Sequence, residues 1–120
     1  MPRPKKNRHV CAMPELVAFG PWNHSKAQKI PVTMTIDEYE TIRLIDLEGY
    51  NQIDCAIQMQ VARTTAQKIY NEGKRKLADA LINGKIIHIE GGEFELCSYE
   101  KDGRFCRGCG RQRGKERNNS

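Results

Sequence analysis

From Ala66 to Ala80, apolar positions recur at spacings of three and four: Ala66, Ile69, Tyr70, Gly73, Leu77 and Ala80 fall on one helical stripe. The opposite face carries Thr64, Lys68, Asn71 and Arg75, flanked by Gln67 and Lys74. Such a segment buries one side and leaves the other for polar contacts. Just ahead, Ile53, Ala56 and Ile57 share one side of a shorter helix. Asn51 opens it by accepting backbone N–H groups, and Asp54 puts a carboxylate in its first turn. Cys55, among the core positions of that helix, reads as a small hydrophobe. Residues 59–62, MQVA, break the pattern without adding a long loop. A short helix, a tight turn and a longer helix at 63–82 with a basic outer face predict a helix-turn-helix. The small Ala56 suits the crossing of two helices. Gln60, where such turns often hold glycine, and Ala62, which has no capping hydroxyl, depart from the pattern.

A third helix is expected before these two. Thr35 with Glu38 three residues on is a capping box, and the segment runs to about Glu48, stopping before Gly49. Ile36, Tyr39, Ile42 and Leu47 share its broad apolar side, with Leu44 and Ile45 flanking. Beyond the Asn83-Gly84 stop signal, KIIHIE and EFELC alternate in period two around Gly91-Gly92, which predicts a β-hairpin. A lone hairpin is marginal in water, so a third strand is expected from Val32–Met34 or from a second subunit. His88 reads as an ordinary strand residue. Pro14, Gly20, Pro21 and Pro31 exclude a long helix in residues 10–34, yet Leu16, Val17, Phe19 and Trp22 are expected to be buried against the helical body. His24 reads as a surface histidine.

The expected fold is mainly α: a three-helix helix-turn-helix domain with a small C-terminal β-hairpin and flexible basic termini. The expected divisions are a basic arm and wrapping segment at 1–34, the helix-turn-helix domain at 35–85, the hairpin at 86–97 and a basic, cysteine-containing tail at 98–120.

Charge sharpens this picture. The 120 residues carry a net charge of +5 with a pI near 9.0, which favours a polyanionic partner. The cations gather at the N-terminus, on the 63–76 stretch and in the tail, whereas residues 37–48 hold Asp37, Glu38, Glu40, Asp46 and Glu48 against Arg43 alone. The opening MPRPKKNRH offers nothing to bury. It is either an arm that lies along phosphates or in a minor groove, or a plain solubilising terminus. No apolar run follows it, so no signal peptide is expected, nor any membrane span, and the expected location is the cytoplasm. There, five cysteines read as thiols or metal ligands rather than disulfides. Cys106-Arg-Gly-Cys109 has zinc-knuckle spacing; Cys97 supplies a third ligand, and Cys11 or a histidine a fourth. Zinc is the candidate cofactor, because no cluster-binding cysteine series is present. The alternative is an unstructured tail with reactive thiols.

The stretch TIDEYETIRLIDLEGYNQIDCAIQMQVARTTAQKIYNEGKRKLADAL resembles region 4 of bacterial sigma factors, a helix-turn-helix that reads promoter DNA. The basic MPRPKK start, ELVAFGP, DEYETIRLIDLEG, VARTT and IEGGEFEL together resemble more closely a small prokaryotic family catalogued as domain of unknown function 134, over residues 1 to about 97. Its members are described as candidate DNA-binding proteins, so the resemblance implies a DNA-binding fold with no established target. Likeness to sigma region 4 implies contacts from Arg63, Thr64, Thr65, Gln67, Lys68 and Asn71.

The leading expectation is a sequence-specific DNA-binding protein that regulates transcription, with the 63–82 helix in the major groove. Gln67 and Asn71 suit adenine edges, and Arg63 or Lys68 guanine edges. Thr64, Lys74, Arg75 and the arm residues Arg3, Lys5 and Lys6 would hold phosphates of double-stranded DNA. A homodimer on paired half-sites is expected, formed through the hairpin. A second reading is a metal- or redox-responsive switch using Cys97, Cys106 and Cys109. A third is a protein-interaction module using the acidic 37–48 helix, with RNA polymerase as the candidate partner. An enzyme is not expected: no nucleophile–base pairing or phosphate-cradling glycine loop is visible.

Overall fold

The computed structural model describes residues 8–22 and 30–97 and gives a mainly helical chain with small strands. Helix α1 spans Ile36–Ile42. It opens on a complete capping box: the Thr35 backbone N–H donates to Glu38 Oε1 at 3.0 Å, and the Glu38 N–H donates to Thr35 Oγ1 at 3.4 Å. The helix then widens into a π-helical turn, Arg43–Leu47, in which Glu48 N–H reaches back five residues to Arg43 O at 2.9 Å. Helix α2, Gln52–Met59, is capped by Asn51, whose Oδ1 accepts from Asp54 N–H at 2.7 Å. Helix α3, Arg63–Asn83, ends on Gly84 in the left-handed conformation.

The π turn corrects the expected face of α1. Each residue advances less than the 100° of an α-helix, so the phase slips. Leu44 turns fully inward and Leu47 is left 64% exposed. Leu44 joins Tyr50, Cys55 and Met59 in a small core beneath α2, with Ile45 and Val61 at its rim. Helix α2 is rolled to match: Cys55, Ala56 and Met59 face inward, while Ile53 and Ile57, expected to pack, stand exposed. The stripe on α3 is as expected, with Ala66, Ile69, Tyr70, Gly73 and Ala80 buried and Leu77 partly so. Gly73 lies where α3 meets α1; a Cβ there would be 3.3 Å from Glu38 Cβ and from Ile42 Cδ1.

Among the described residues, five short strands complete the body: β1 (Arg8–Val10), β2 (Ala18–Phe19), β3 (Val32–Met34), β4 (Ile87–Ile89) and β5 (Phe94–Leu96). The predicted hairpin does not form. β4 is the central strand of a three-stranded sheet, antiparallel to β2 on one edge and parallel to β3 on the other, so neither edge is open to β5. β5 instead pairs in parallel with β1, Val10 opposite Leu96. Val32–Met34 does supply the expected additional strand, Met34 opposite Ile89. Gly91 and Gly92, both at positive φ, carry the chain from one sheet to the other across the start of α1. Ile36 N–H donates to Gly91 O at 3.0 Å, and a Cβ on Gly92 would strike Asp37 Oδ1 and sit 2.8 Å from Thr35 Cβ.

The main core gathers Val10, Met34, Ile36, Ala80, Ile87 and Ile89 between the strands, α1 and α3. The strand residues Ile87 and Ile89 thus find partners within the chain, which removes the reason given by the sequence for a hairpin-mediated dimer. Leu16, Val17, Phe19 and Trp22 are exposed rather than buried, with Trp22 95% exposed. Leu16 and Val17 precede the two-residue edge strand β2, Phe19 lies in it and Trp22 follows it, and so short a strand does not lay the whole segment on the body. Among the described residues, no helix is long and apolar enough to cross a membrane.

Candidate nucleic-acid interface

The turn at residues 60–62 sets the angle between α2 and α3. Gln60 adopts φ 60° and ψ 45°, its N–H bonds back to the end of α2, and Val61 N–H donates to Ala56 O at 3.0 Å. The left-handed position that often takes glycine is occupied here by glutamine. Ala62 precedes α3 with extended backbone and no side-chain cap, so the first N–H groups of α3 face outward with the helix's positive end.

From that start, Arg63, Thr64, Gln67, Lys68, Asn71, Lys74 and Arg75 are exposed along the outer side of α3, and Thr65 is half-buried. Two of the cations are already engaged. Lys74 Nζ sits 5.2 Å from the centre of the Tyr70 ring. Tyr70 in turn donates its hydroxyl to Asp46 Oδ1 at 2.8 Å, tying α3 to the end of the π turn. Arg75 Nη2 donates to Glu72 Oε2 at 3.1 Å. That hydrogen bond holds the Glu72 carboxyl below its ordinary range and raises the Arg75 guanidinium.

A cleft of about 420 Å³ lies beside the first two turns of α3, lined by Arg8, Glu38, Thr64, Thr65, Lys68, Ile69 and Glu72. Arg8 reaches it from β1, braced by Glu93 at 3.2 Å and Asp37 at 4.0 Å. The chain that precedes Arg8 is the basic arm. Arg3, Lys5 and Lys6, and the tail cysteines Cys106 and Cys109, lie outside the described residues.

The acidic stretch is mostly internal: Asp37, Glu38, Glu40 and Glu48 are buried, and Asp46 is exposed. Arg43 Nε and Nη2 grip Glu40 at 2.9 and 2.8 Å, and Arg43 Nη1 reaches Glu48 at 3.5 Å. Burial opposes the Arg43 charge, but the hydrogen-bonded Glu40 carboxylate more than offsets it and the guanidinium is held protonated. Lys76 Nζ donates to both oxygens of Glu38, at 2.8 and 3.1 Å. With the carboxylates turned inward, the outer side of α3 is left predominantly cationic, with Glu72 the acidic exception within that row.

The model of a family described as protein of unknown function DUF134 matches residues 1–97. The chain belongs to that family. A UPF0251 protein of Desulfitobacterium hafniense is 58% identical over 97 residues, covering 81% of this chain and 78% of the relative. A UPF0251 protein of Thermoanaerobacter pseudethanolicus is 42% identical over 114 residues, covering 95% of each chain. One from Caldicellulosiruptor saccharolyticus is 44% identical over 113 residues, covering 92% of this chain and 76% of the relative. No solved structure matches the chain.

In this DUF134 member, two residues of the candidate interface escaped the sequence reading. Glu72 had a local signal, since it lies three residues before Arg75 and four after Lys68 on one helix face. Arg8 had none, because its position depends on β1 pairing with a strand some eighty residues away.

The predicted ligands Cys11 and Cys97 are brought together, both buried, in a cluster of their own. Among the described residues, no group of three or more histidine, cysteine or acidic side chains is placed to hold a metal.

Proposed function

We propose that this chain is a sequence-specific DNA-binding protein and a transcriptional regulator. In this reading α2, the turn and α3 act as a helix-turn-helix resembling sigma region 4, and α3 enters the major groove by its N-terminal half. The observation that carries it is the row Arg63, Thr64, Gln67, Lys68 and Asn71, exposed together on α3 directly after a three-residue turn. The Arg8 cleft adds support, because it brings a further cation, Arg8, beside that same half of α3.

The roles follow from chemistry. Gln67 and Asn71 carry amides that can bond bidentately to adenine, and Arg63 and Lys68 match the guanine acceptors. Arg8, Thr64 and the outward N–H groups at the start of α3 suit phosphate oxygens and set register without reading sequence. Arg75 serves phosphate only after leaving Glu72.

Selection of bound sequences from random duplex DNA, using the full chain, tests the proposal. An enriched motif is expected, and its symmetry reports whether one or two copies bind. Gln67→Ala or Asn71→Ala should then lose about 1–3 kcal/mol at the preferred site and relax one base position. No enrichment, with both variants binding duplex DNA as the parent does, would leave α3 as a merely solvated face.

A further inference from the structure

We propose that Cys11 and Cys97 are a redox-modification site, at which a hydroperoxide converts the two thiols into a disulfide that locks β1 onto β5. The fold sets the pair in place. β1 and β5 run parallel with Val10 opposite Leu96, so Cys11 and Cys97 occupy the next register position. Cys97 N–H donates to Val10 O at 2.8 Å, which continues the ladder to that point. Residues in register on neighbouring strands point to the same side with backbones about 4.8 Å apart, inside the roughly 4.4–6.8 Å between Cα atoms that a disulfide spans.

The pair belongs to neither core. Cys11 and Cys97, 5% and 8% exposed, form a separate cluster of two. The setting of Cys11 suits sulfur that carries charge. Gln58 Nε2 donates to Cys11 Sγ at 3.7 Å, and the Arg43 guanidinium is in electrostatic contact with Cys11. The nearby Glu40 accepts from Cys11 N–H at 3.2 Å, and its own charge is met by Arg43 at 2.8 Å. Cys11 is therefore the attacking sulfur and Cys97 the resolving one. Cys55 makes the contrast: it lies in the core beneath α2, its Sγ donates to Met59 Sδ at 3.8 Å, and burial pushes its thiol up to about 12.

One hydroperoxide balances the chemistry. The Cys11 thiolate attacks a peroxide oxygen, the O–O bond breaks, and water or an alcohol leaves as Cys11 becomes a sulfenic acid. The Cys97 sulfur then attacks Cys11 Sγ; the S–O bond breaks, the S–S bond forms, and the oxygen departs as water with the Cys97 proton. The two thiols lose two electrons together, and the peroxide takes both. Exchange with a small thiol reverses the step. The bond closes a loop that contains α1, α2 and α3, and long loops gain most from such closure. It also fixes the strand that carries Arg8 to the cleft beside α3.

The test uses the full chain and a Cys106→Ser, Cys109→Ser variant of it, in which Cys11, Cys55 and Cys97 are the remaining thiols. After treatment with hydrogen peroxide, digestion of either protein should give a Cys11–Cys97 cross-linked peptide. The variant should lose the mass of two hydrogens and keep one alkylatable thiol when unfolded, Cys55. Its Tm should rise by at least about 5 °C and return with dithiothreitol. Adding Cys11→Ser should abolish both changes, and adding Cys55→Ser should preserve both. The proposal is overturned by three alkylatable thiols after peroxide, by sulfinic acid at Cys11 without a cross-link, by a disulfide to Cys55 or to a second chain, or by a Cys11–Cys97 bond that leaves Tm unchanged. None of these measurements involves DNA, so the site and the DNA-binding proposal stand or fall separately.

Discussion

Replacing Arg43 with methionine should unfold much of the stability of this domain while leaving its surface unaltered. The side chain is buried, and it donates to Glu40 at 2.9 and 2.8 Å and to Glu48 at 3.5 Å. Glu40, 1% exposed, also accepts from Cys11 N–H at 3.2 Å. Methionine preserves most of the volume, so the cavity contribution is small and the loss is electrostatic: one cation leaves, and two buried carboxyl groups lose the partner that donates to them. Breaking a buried pair from one side costs about 3–5 kcal/mol, against a total stability of about 5–15 kcal/mol for a domain. A fall in Tm of more than about 10 °C is expected. Circular dichroism at 222 nm is the right probe, because Trp22 is exposed and its fluorescence reports little. Adding Glu40→Gln should recover part of the loss, the non-additivity measuring the pair. Arg75→Met is the control: its partner Glu72 is exposed, and its melt should match the parent. A destabilisation below about 1 kcal/mol in Arg43→Met would refute the buried-counterion account.

The outer side of α3 gives a second expectation. Glu72→Gln removes the acidic exception and releases Arg75, so DNA affinity should rise, with the salt dependence steeper by about 0.9 in log–log slope for one added phosphate contact; an unchanged slope would mean Arg75 points away from the backbone. Gly92→Ala should cost about 1–3 kcal/mol in denaturant titration, because φ is +99° and a Cβ meets Asp37 and Thr35, whereas Gly84→Ala, with nothing within 4 Å, should cost less. Tyr39 and Tyr70 are raised above the ordinary 10.0, chiefly by burial and next by the Glu40 charge for Tyr39 and the Asp46 hydrogen bond for Tyr70. The stability they contribute is complete below pH of about 10 and is lost as pH rises through the raised values. Ultraviolet titration should show two late phenols in the parent and one in Tyr70→Phe; two late phenols in that variant would disprove the assignment.

Local chemistry was legible along the chain, and non-local geometry was not. Thr35 with Glu38, Asn51 ahead of α2, Asn83-Gly84 after α3 and the buried stripe on α3 all follow from contacts within one turn. Leu47 was misplaced because a five-residue π turn at Arg43 shifts the helical phase, and a 3.6 period carries no sign of that slip; Ile53 and Ile57 are exposed because α2 packs by Cys55, Ala56 and Met59 instead. The hairpin at Gly91-Gly92 had suitable turn chemistry, but strand pairing is decided by which edges are open, and β2 and β3 had filled both edges of β4. The same limit applies to the interface. Exposed α3 residues could be selected from periodicity, whereas Arg8 beside Thr64 and Lys68, and Cys11 beside Cys97, required the fold.

The parallel pairing of β1 with β5 also orders events in time. Arg8–Val10 leaves the ribosome well ahead of its partner Phe94–Leu96, with the three helices made in between. The α1–α2–α3 body can close on mostly short-range contacts while β1 is still waiting, because long loops close late. The segment carrying Arg8 and leading from the basic arm therefore docks last during synthesis, and it is the first expected to release when the domain loosens. Amide exchange at Arg8 and Cys97, faster than in the middle of α3, would be the signature of that late-closing clasp.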